Sequence, residues 1–200
     1  MSHRADPFEW SGGHPALDLV NTLDERPFDS PIENLSTCRD LVRFAELARL
    51  IEPSIAARLR NLDGPACSRV ATRARKLREH VHAILAAAHS GRPARQVDLD
   101  AISSAIQAAH AAQVLVTSPS AALASHSWSL PVGLETPLHA CSLAIERLLV
   151  DEDRRRIRKC GASDCGVYYL DMSRGRRRQW CSMKACGNRE KQRRWRSSTQ

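Results

Sequence analysis

Over most of the first 150 residues, apolar side chains recur every three or four positions, the period of helices that lay one face on a core. Leu41, Phe44, Leu47, Ala48 and Ile51 keep this spacing behind Ser36, Thr37 and Asp40, which resemble an N-cap, so a helix is expected to run to about Glu52. Pro53 ends it and can open a short helix over about 54–62, before Asp63-Gly64-Pro65 breaks the chain. From Cys67 to about His89, Val70, Ala74, Leu77, Val81, Ile84, Leu85 and Ala88 line one side of a long helix, which Ser90-Gly91-Arg92-Pro93 stops. Leu99, Ile102, Ile106 and Ala109 predict another helix to about Ala112. Thr136-Pro137 opens the last, whose stripe is Leu138, Cys141, Leu143, Ala144, Leu148 and Leu149.

Two stretches depart from this period. Ala16, Leu17, Leu19, Val20 and Leu23, after the Gly12-Gly13-His14-Pro15 turn, fit a short helix or an extended segment, and are buried in either form. Val114-Leu115-Val116 and Ser125 to Leu130 read as two β segments, joined by a stretch that opens with Thr117-Ser118-Pro119-Ser120, although Ala121 to Ala124 is weakly helical. The expected fold class is mainly α with a small β element. A helical N-terminal domain over residues 1–153 is followed by a four-cysteine finger of zinc-ribbon or treble-clef type over 154–200.

Charge supports that division. Between Arg154 and Arg196 stand fifteen basic and three acidic residues, a local charge of +12, while the rest of the chain is mildly acidic. A basic appendage on an acidic body is the asymmetry of a protein that binds a polyanion. No run of about eighteen uncharged apolar residues occurs, which excludes a membrane-spanning helix. Met1 to Trp10 carries charge of both signs instead of a secretory signal, so a cytoplasmic chain is expected.

In that compartment, cysteines are thiols or metal ligands more often than disulfides. Cys38, Cys67 and Cys141 are scattered and read as small buried hydrophobes. Cys160 and Cys165, then Cys181 and Cys186, form two C-x4-C pairs fifteen residues apart. Four sulfurs suit one structural zinc in a closed tetrahedral site, with paired disulfides and an iron–sulfur cluster as the alternatives. Metal ligation would supply folding free energy on the order of 10 kcal/mol to a segment with few aliphatics. Gly166 to Asp171 reads as a strand and Met172 to Gly175 as its turn. Nearby Arg158, Lys159, Arg177, Arg178, Lys184 and Arg189 would offset the net negative charge of a zinc tetrathiolate. Asn188 can cap a basic helix to Arg196, in which Arg189, Arg193 and Arg196 share one face, flanked by Lys191 and Arg194, with Trp180 and Trp195 as packing or stacking groups. Such a helix could enter a major groove or lie across phosphates, whereas Arg189 could also serve only to neutralise the zinc site. No His-x-x-x-His, Gly-x-Ser-x-Gly or phosphate-loop pattern occurs, so no enzymatic function is expected.

Cys160 to Cys165, Tyr168-Tyr169-Leu170-Asp171-Met172-Ser173, Arg176 to Met183 and Cys186-Gly187-Asn188-Arg189-Glu190-Lys191 closely resemble the CGNR zinc finger. Tyr169 stands where phenylalanine is usual and Gln179 where another arginine is. Phe8 to Thr22 resembles the opening signature of the ABATE domain, which usually precedes that finger in bacterial proteins. The two resemblances cover nearly the whole chain. They imply a stress-induced transcription regulator with a zinc-binding, DNA-binding finger and an N-terminal input domain.

The expected function is therefore a homodimeric, zinc-dependent DNA-binding regulator. Arg174, Arg176, Arg177, Arg178, Lys184, Arg189, Lys191, Arg193, Arg194 and Arg196 are its nucleic-acid-contacting residues. For a small-molecule effector, His14, Asp18 and Asn21 are candidate pocket residues, with capping and turn hydrogen bonds as the alternative. The competing functions are a zinc-stabilised adaptor for RNA or an acidic protein, and an enzyme built on the His14, Asp18 and Asn21 cluster, which would require a deep pocket with strongly shifted titrations.

Overall fold

The computed structural model describes residues 7–117 and 123–198. In chain order its elements are α1 (Pro15–Val20), β1 (Leu23–Asp24), β2 (Ile32–Glu33), α2 (Cys38–Leu47), α3 (Pro53–Leu59), α4 (Pro65–His89) and α5 (Gln96–Ala111). They continue with β3 (Gln113–Thr117), β4 (Ala124–Trp128), α6 (Thr136–Val150), β5 (Ile157–Lys159), β6 (Tyr168–Leu170) and α7 (Asn188–Ser198). The chain is mainly helical, and each two-stranded ladder is antiparallel. Two compact units form: Leu35–Arg147, and Met1–Asn34 together with Leu148–Gln200. The boundary expected at residue 153 divides the sequence, whereas in space residues 7–34 group with the cysteine-bearing end.

In the unit Leu35–Arg147, α2 starts with a capping box. The Thr37 hydroxyl accepts from the Asp40 amide at 3.2 Å, and the Asp40 carboxylate accepts from the Thr37 amide at 2.8 Å. The helix stops at Leu47, before Glu52, because Arg49 adopts a left-handed backbone with φ of 56°. The Leu50 amide then bonds the Ala45 carbonyl at 2.8 Å and the Arg49 amide the Glu46 carbonyl at 3.0 Å, which is a Schellman closure. A side chain at a left-handed position costs about 1 kcal/mol relative to glycine. Ile51 nevertheless reaches the core formed by Val42, Ala45, Ala56, Leu59 and Ala140, against which Trp128 packs. Pro53 opens α3, as the sequence suggests.

The long helix α4 buries Val70, Ala74, Leu77, Val81, Ile84 and Leu85 as the spacing predicts. On α5 only Ile102 and Ala109 of the expected stripe are fully buried, while Leu99 is exposed. The helix is instead anchored by buried Asp98, which accepts from Arg95 at 2.8 Å and pairs with His80 Nδ1 at 2.8 Å. The hairpin β3–β4 forms with Leu115 opposite His126, and its second strand ends at Trp128 rather than Leu130. The expected joining segment at Ser118–Ser120 and the first two residues of the weakly helical Ala121–Ala124 lie outside the described residues, and Ala124 begins β4 rather than a helix. Cys38, Cys67 and Cys141 are buried. Burial, with a smaller push from the neighbouring Cys67 thiol, raises the Cys38 thiol to about 12.

In the other unit, α1 settles the ambiguous N-terminal segment as helix, and the two-residue ladder β1–β2 is an addition that the sequence pattern did not signal. A 3₁₀ turn over Glu152–Arg156 leads into β5, whose register places Arg158 opposite Tyr169. Tyr168 and Tyr169 are both fully buried. No helix among the described residues is long and apolar enough to cross a membrane.

Candidate metal centre and nucleic-acid surface

Each cysteine of the two pairs is delivered by a backbone feature of its own. Cys160 follows β5, its amide bonded to the Val167 carbonyl at 2.9 Å, and the Cys165 amide bonds the Ala162 carbonyl at 3.1 Å to close the first knuckle. Gly161 lets that knuckle approach the second, since a Cβ there would stand 3.2 Å from the Gln179 carbonyl and 3.3 Å from the Trp180 ring. Cys181 enters from an extended segment, its amide pointing at the Cys160 Sγ at 3.4 Å. Cys186 lies in a π-helical turn, Met183–Gly187, capped by the Ser182 hydroxyl, and this turn runs directly into α7.

The four Sγ atoms all lie within 4.8 Å of one another. Cys181 and Cys186 are 3.5 Å apart and Cys165 and Cys181 3.8 Å. Zinc–sulfur bonds of about 2.3 Å in a tetrahedron place sulfurs about 3.8 Å apart, so the spacing fits one zinc and is far too wide for disulfides at about 2.05 Å. Hydrogen bonds from the Cys165 and Cys181 thiols hold Cys160 well below the usual thiol range. Arg189 donates to the Cys186 Sγ at 3.3 Å. The donor set is thus four sulfurs, three of them buried, with cationic and amide donors around them, the chemistry of a closed structural zinc site. Zinc held there would cross-link the two knuckles and fix the start of α7.

Three of the ten expected nucleic-acid contacts have bonding partners within the finger. Arg178 lies over the Tyr169 ring, 4.3 Å from its centroid, and donates to the Trp180 carbonyl at 2.9 Å and to the Cys181 carbonyl. Arg189 donates to Asp164 at 2.8 Å and Arg193 to the other oxygen of the same carboxylate at 3.0 Å, with a further bond to Ser163. These two arginines therefore point back at the first knuckle, and Asp164 is held below the usual carboxylate range chiefly by Arg189. Arg174, Arg176, Arg177, Lys184, Lys191, Arg194 and Arg196 are exposed, and none has an ion-pair partner among the described residues. With Arg189 and Arg193 turned inward, helical geometry leaves Lys191, Arg194 and Trp195 on the outer face of α7. Trp195 is 70% exposed, whereas Trp180 packs beside Gly161 and Gly187.

The expected pocket residues bond to backbone instead of a cavity. His14 caps α1, its Nδ1 accepting from the Ala16 amide at 3.2 Å. Asp18, buried, accepts from the Gly12 amide at 2.8 Å, so closely that a Cβ on Gly12 would meet its carboxylate at 2.6 Å. Asn21 grips both polar groups of the Tyr168 backbone, donating to the carbonyl at 2.9 Å and accepting from the amide at 3.0 Å. The Leu170 amide adds a bond to the Gly12 carbonyl at 2.8 Å. Capping and turn bonds describe His14 and Asp18, whereas Asn21 makes a long-range bond that ties the opening segment to the strand behind the cysteines.

Sequence reading missed two positioning carboxylates. Asp164 is the inward anchor of α7. Asp171, fully buried, accepts from the Ser173 hydroxyl at 2.6 Å and amide at 3.0 Å and from the Arg178 amide at 3.1 Å, and so shapes the loop that presents Arg174, Arg176 and Arg177. An Asp two residues before a Ser is a turn signal, and it could have been read as one. Asp164 gave no local signal, because its partners lie at least 25 residues away.

Residues 13–152 match the ABATE family, described as "Putative stress-induced transcription regulator", and residues 156–198 match the CGNR zinc finger. Neither is an enzyme family. Among curated proteins nothing matches the chain.

Proposed function

The chain belongs to the ABATE family of transcription regulators and carries a CGNR zinc finger, and from that premise we propose that it binds duplex DNA through the finger in a zinc-dependent way. The observation that carries this reading is the set of seven exposed cations without ion-pair partners, Arg174, Arg176, Arg177, Lys184, Lys191, Arg194 and Arg196, mounted on a metal-braced loop and helix. Such side chains neutralise phosphates and release counterions. Arg178, Arg189 and Arg193 brace the finger instead of reading DNA. The active species is a cytoplasmic homodimer, since one small module covers only about 600–1,000 Å² of DNA contact. A small-molecule effector acts on the remainder of the chain.

Fluorescence anisotropy on mixed-sequence duplex DNA across a salt series tests this. Binding is expected to weaken with a log–log slope of about −0.9 per phosphate contacted, and replacing Arg174, Arg176 and Arg177 together by Gln should reduce the slope by about two to three contacts. Undiminished binding in that triple variant, or no duplex binding at low salt, overturns the reading. The second reading, an adaptor for RNA or an acidic protein, is favoured by Trp195, 70% exposed between Arg194 and Arg196 in sequence, an arrangement suited to stacking on an unpaired base. Preference for structured RNA or single strands in the same assay would select it.

A further inference from the structure

Within the unit Leu35–Arg147, a cavity of about 330 Å³ opens beside the end of α2. Ile51, Trp128 and Leu143 form apolar wall, while Arg49, Arg147 and Glu52 bring charge. Arg49 and Arg147 are exposed, and neither guanidinium has a partner among the described residues.

Arg49 is the informative residue. It occupies the left-handed position of the Schellman closure, with φ of 56°, where glycine satisfies every backbone bond without strain. The fold thus carries a strained, cationic side chain that makes no bond among the described residues, and it carries it against a cavity. Strain of this kind clusters at ligand sites.

We infer that this cavity binds a small organic monoanion, its apolar body against Ile51, Trp128 and Leu143 and its carboxylate or sulfonate between Arg49 and Arg147. A cavity of about 330 Å³ is at the small end of ligand pockets, which run from about 300 to 1,000 Å³, and is too small to enclose a nucleotide. Glu52, on the same lining, leaves a single net positive charge and disfavours multiply charged anions. This inference rests on the effector element of the function proposed above and gives it a place and a chemical class. It requires no DNA, so each can fail without the other.

The test is calorimetric titration of the zinc-loaded full chain, without DNA, with 2-naphthoate and with its neutral isostere 2-naphthamide. One naphthoate per chain is expected, bound about tenfold or more tightly than the amide, because a charge-assisted pair of bonds is lost in the latter. Arg49→Gly is the decisive variant. It should hold or raise the melting temperature, since it relieves the left-handed strain, yet reduce naphthoate affinity about tenfold and leave the amide unchanged. Arg147→Gln should weaken naphthoate similarly. Absence of saturable one-to-one binding, equal affinity for acid and amide, or full naphthoate affinity in Arg49→Gly would overturn the inference.

Discussion

Asp18 shows how one side chain takes its properties from its surroundings. Burial pushes its carboxyl up to about 6 from 3.8, against the pull of the Gly12 amide and with a smaller push from Glu9. In the unfolded chain the group ionises near its ordinary value. Between about pH 4 and about 6, therefore, the folded state holds a proton that the unfolded state has released, and stability falls as pH rises through that window, then levels off. Asp18→Asn keeps an oxygen for the Gly12 amide and removes the charge. It should flatten this part of the profile and stabilise the protein at neutral pH by at most about 3 kcal/mol, as read from urea midpoints at the two ends of the window. Identical pH profiles in the two proteins would refute this account. From sequence, Asp18 was visible as a polar residue among apolar ones, but whether it lined a pocket or closed a turn depended on where Gly12 lies in space.

At the scale of elements, α7 is set by what its first turns grip. Arg189 joins the carboxylate of Asp164 to the sulfur of Cys186, so it belongs to the outer shell of the metal. Arg189→Ala is expected to weaken zinc retention about 10- to 100-fold in competition with a chelating dye, as outer-shell losses do. Both bonds come from the one nitrogen Nη2, so Arg189→Lys keeps the charge but should recover only part of this, because the lysine stem does not hold its ammonium in the fixed plane of the guanidinium. Unchanged zinc retention in the Ala variant would return Arg189 to the DNA-contacting set. The helical period located α4, and the two β segments located the hairpin, since each depends on neighbours close in the chain. It misjudged the end of α2, because the apolar spacing continues through Ala48 and Ile51 and no glycine marks the stop; Arg49 takes the glycine conformation. It also could not say which face of α7 looks outward, since Asp164 lies on a separate loop.

For the whole molecule, the unexpected finding is that the opening segment and the cysteine-bearing end form one unit. Asn21 holds the Tyr168 backbone, and Gly12 receives the Leu170 amide. Cys181→Ser is accordingly expected to release zinc and to erase hydrogen-exchange protection in residues 154–198 and in residues 7–34 together, while Leu35–Arg147 stays protected. Protection retained over 7–34 after the finger has melted would show that the two are not coupled. The sequence by itself determined the metal, the helical class and the basic character of the finger. Cysteine spacing, apolar period and charge counts are all local quantities, fixed before the chain folds. Only the tertiary structure decided which arginines remain available to a ligand and which brace the metal, what His14, Asp18 and Asn21 do, and that a cavity lies beside Arg49. Each of those depends on partners brought together from distant parts of the chain, and on the burial that removes a polar group from water and obliges it to find one.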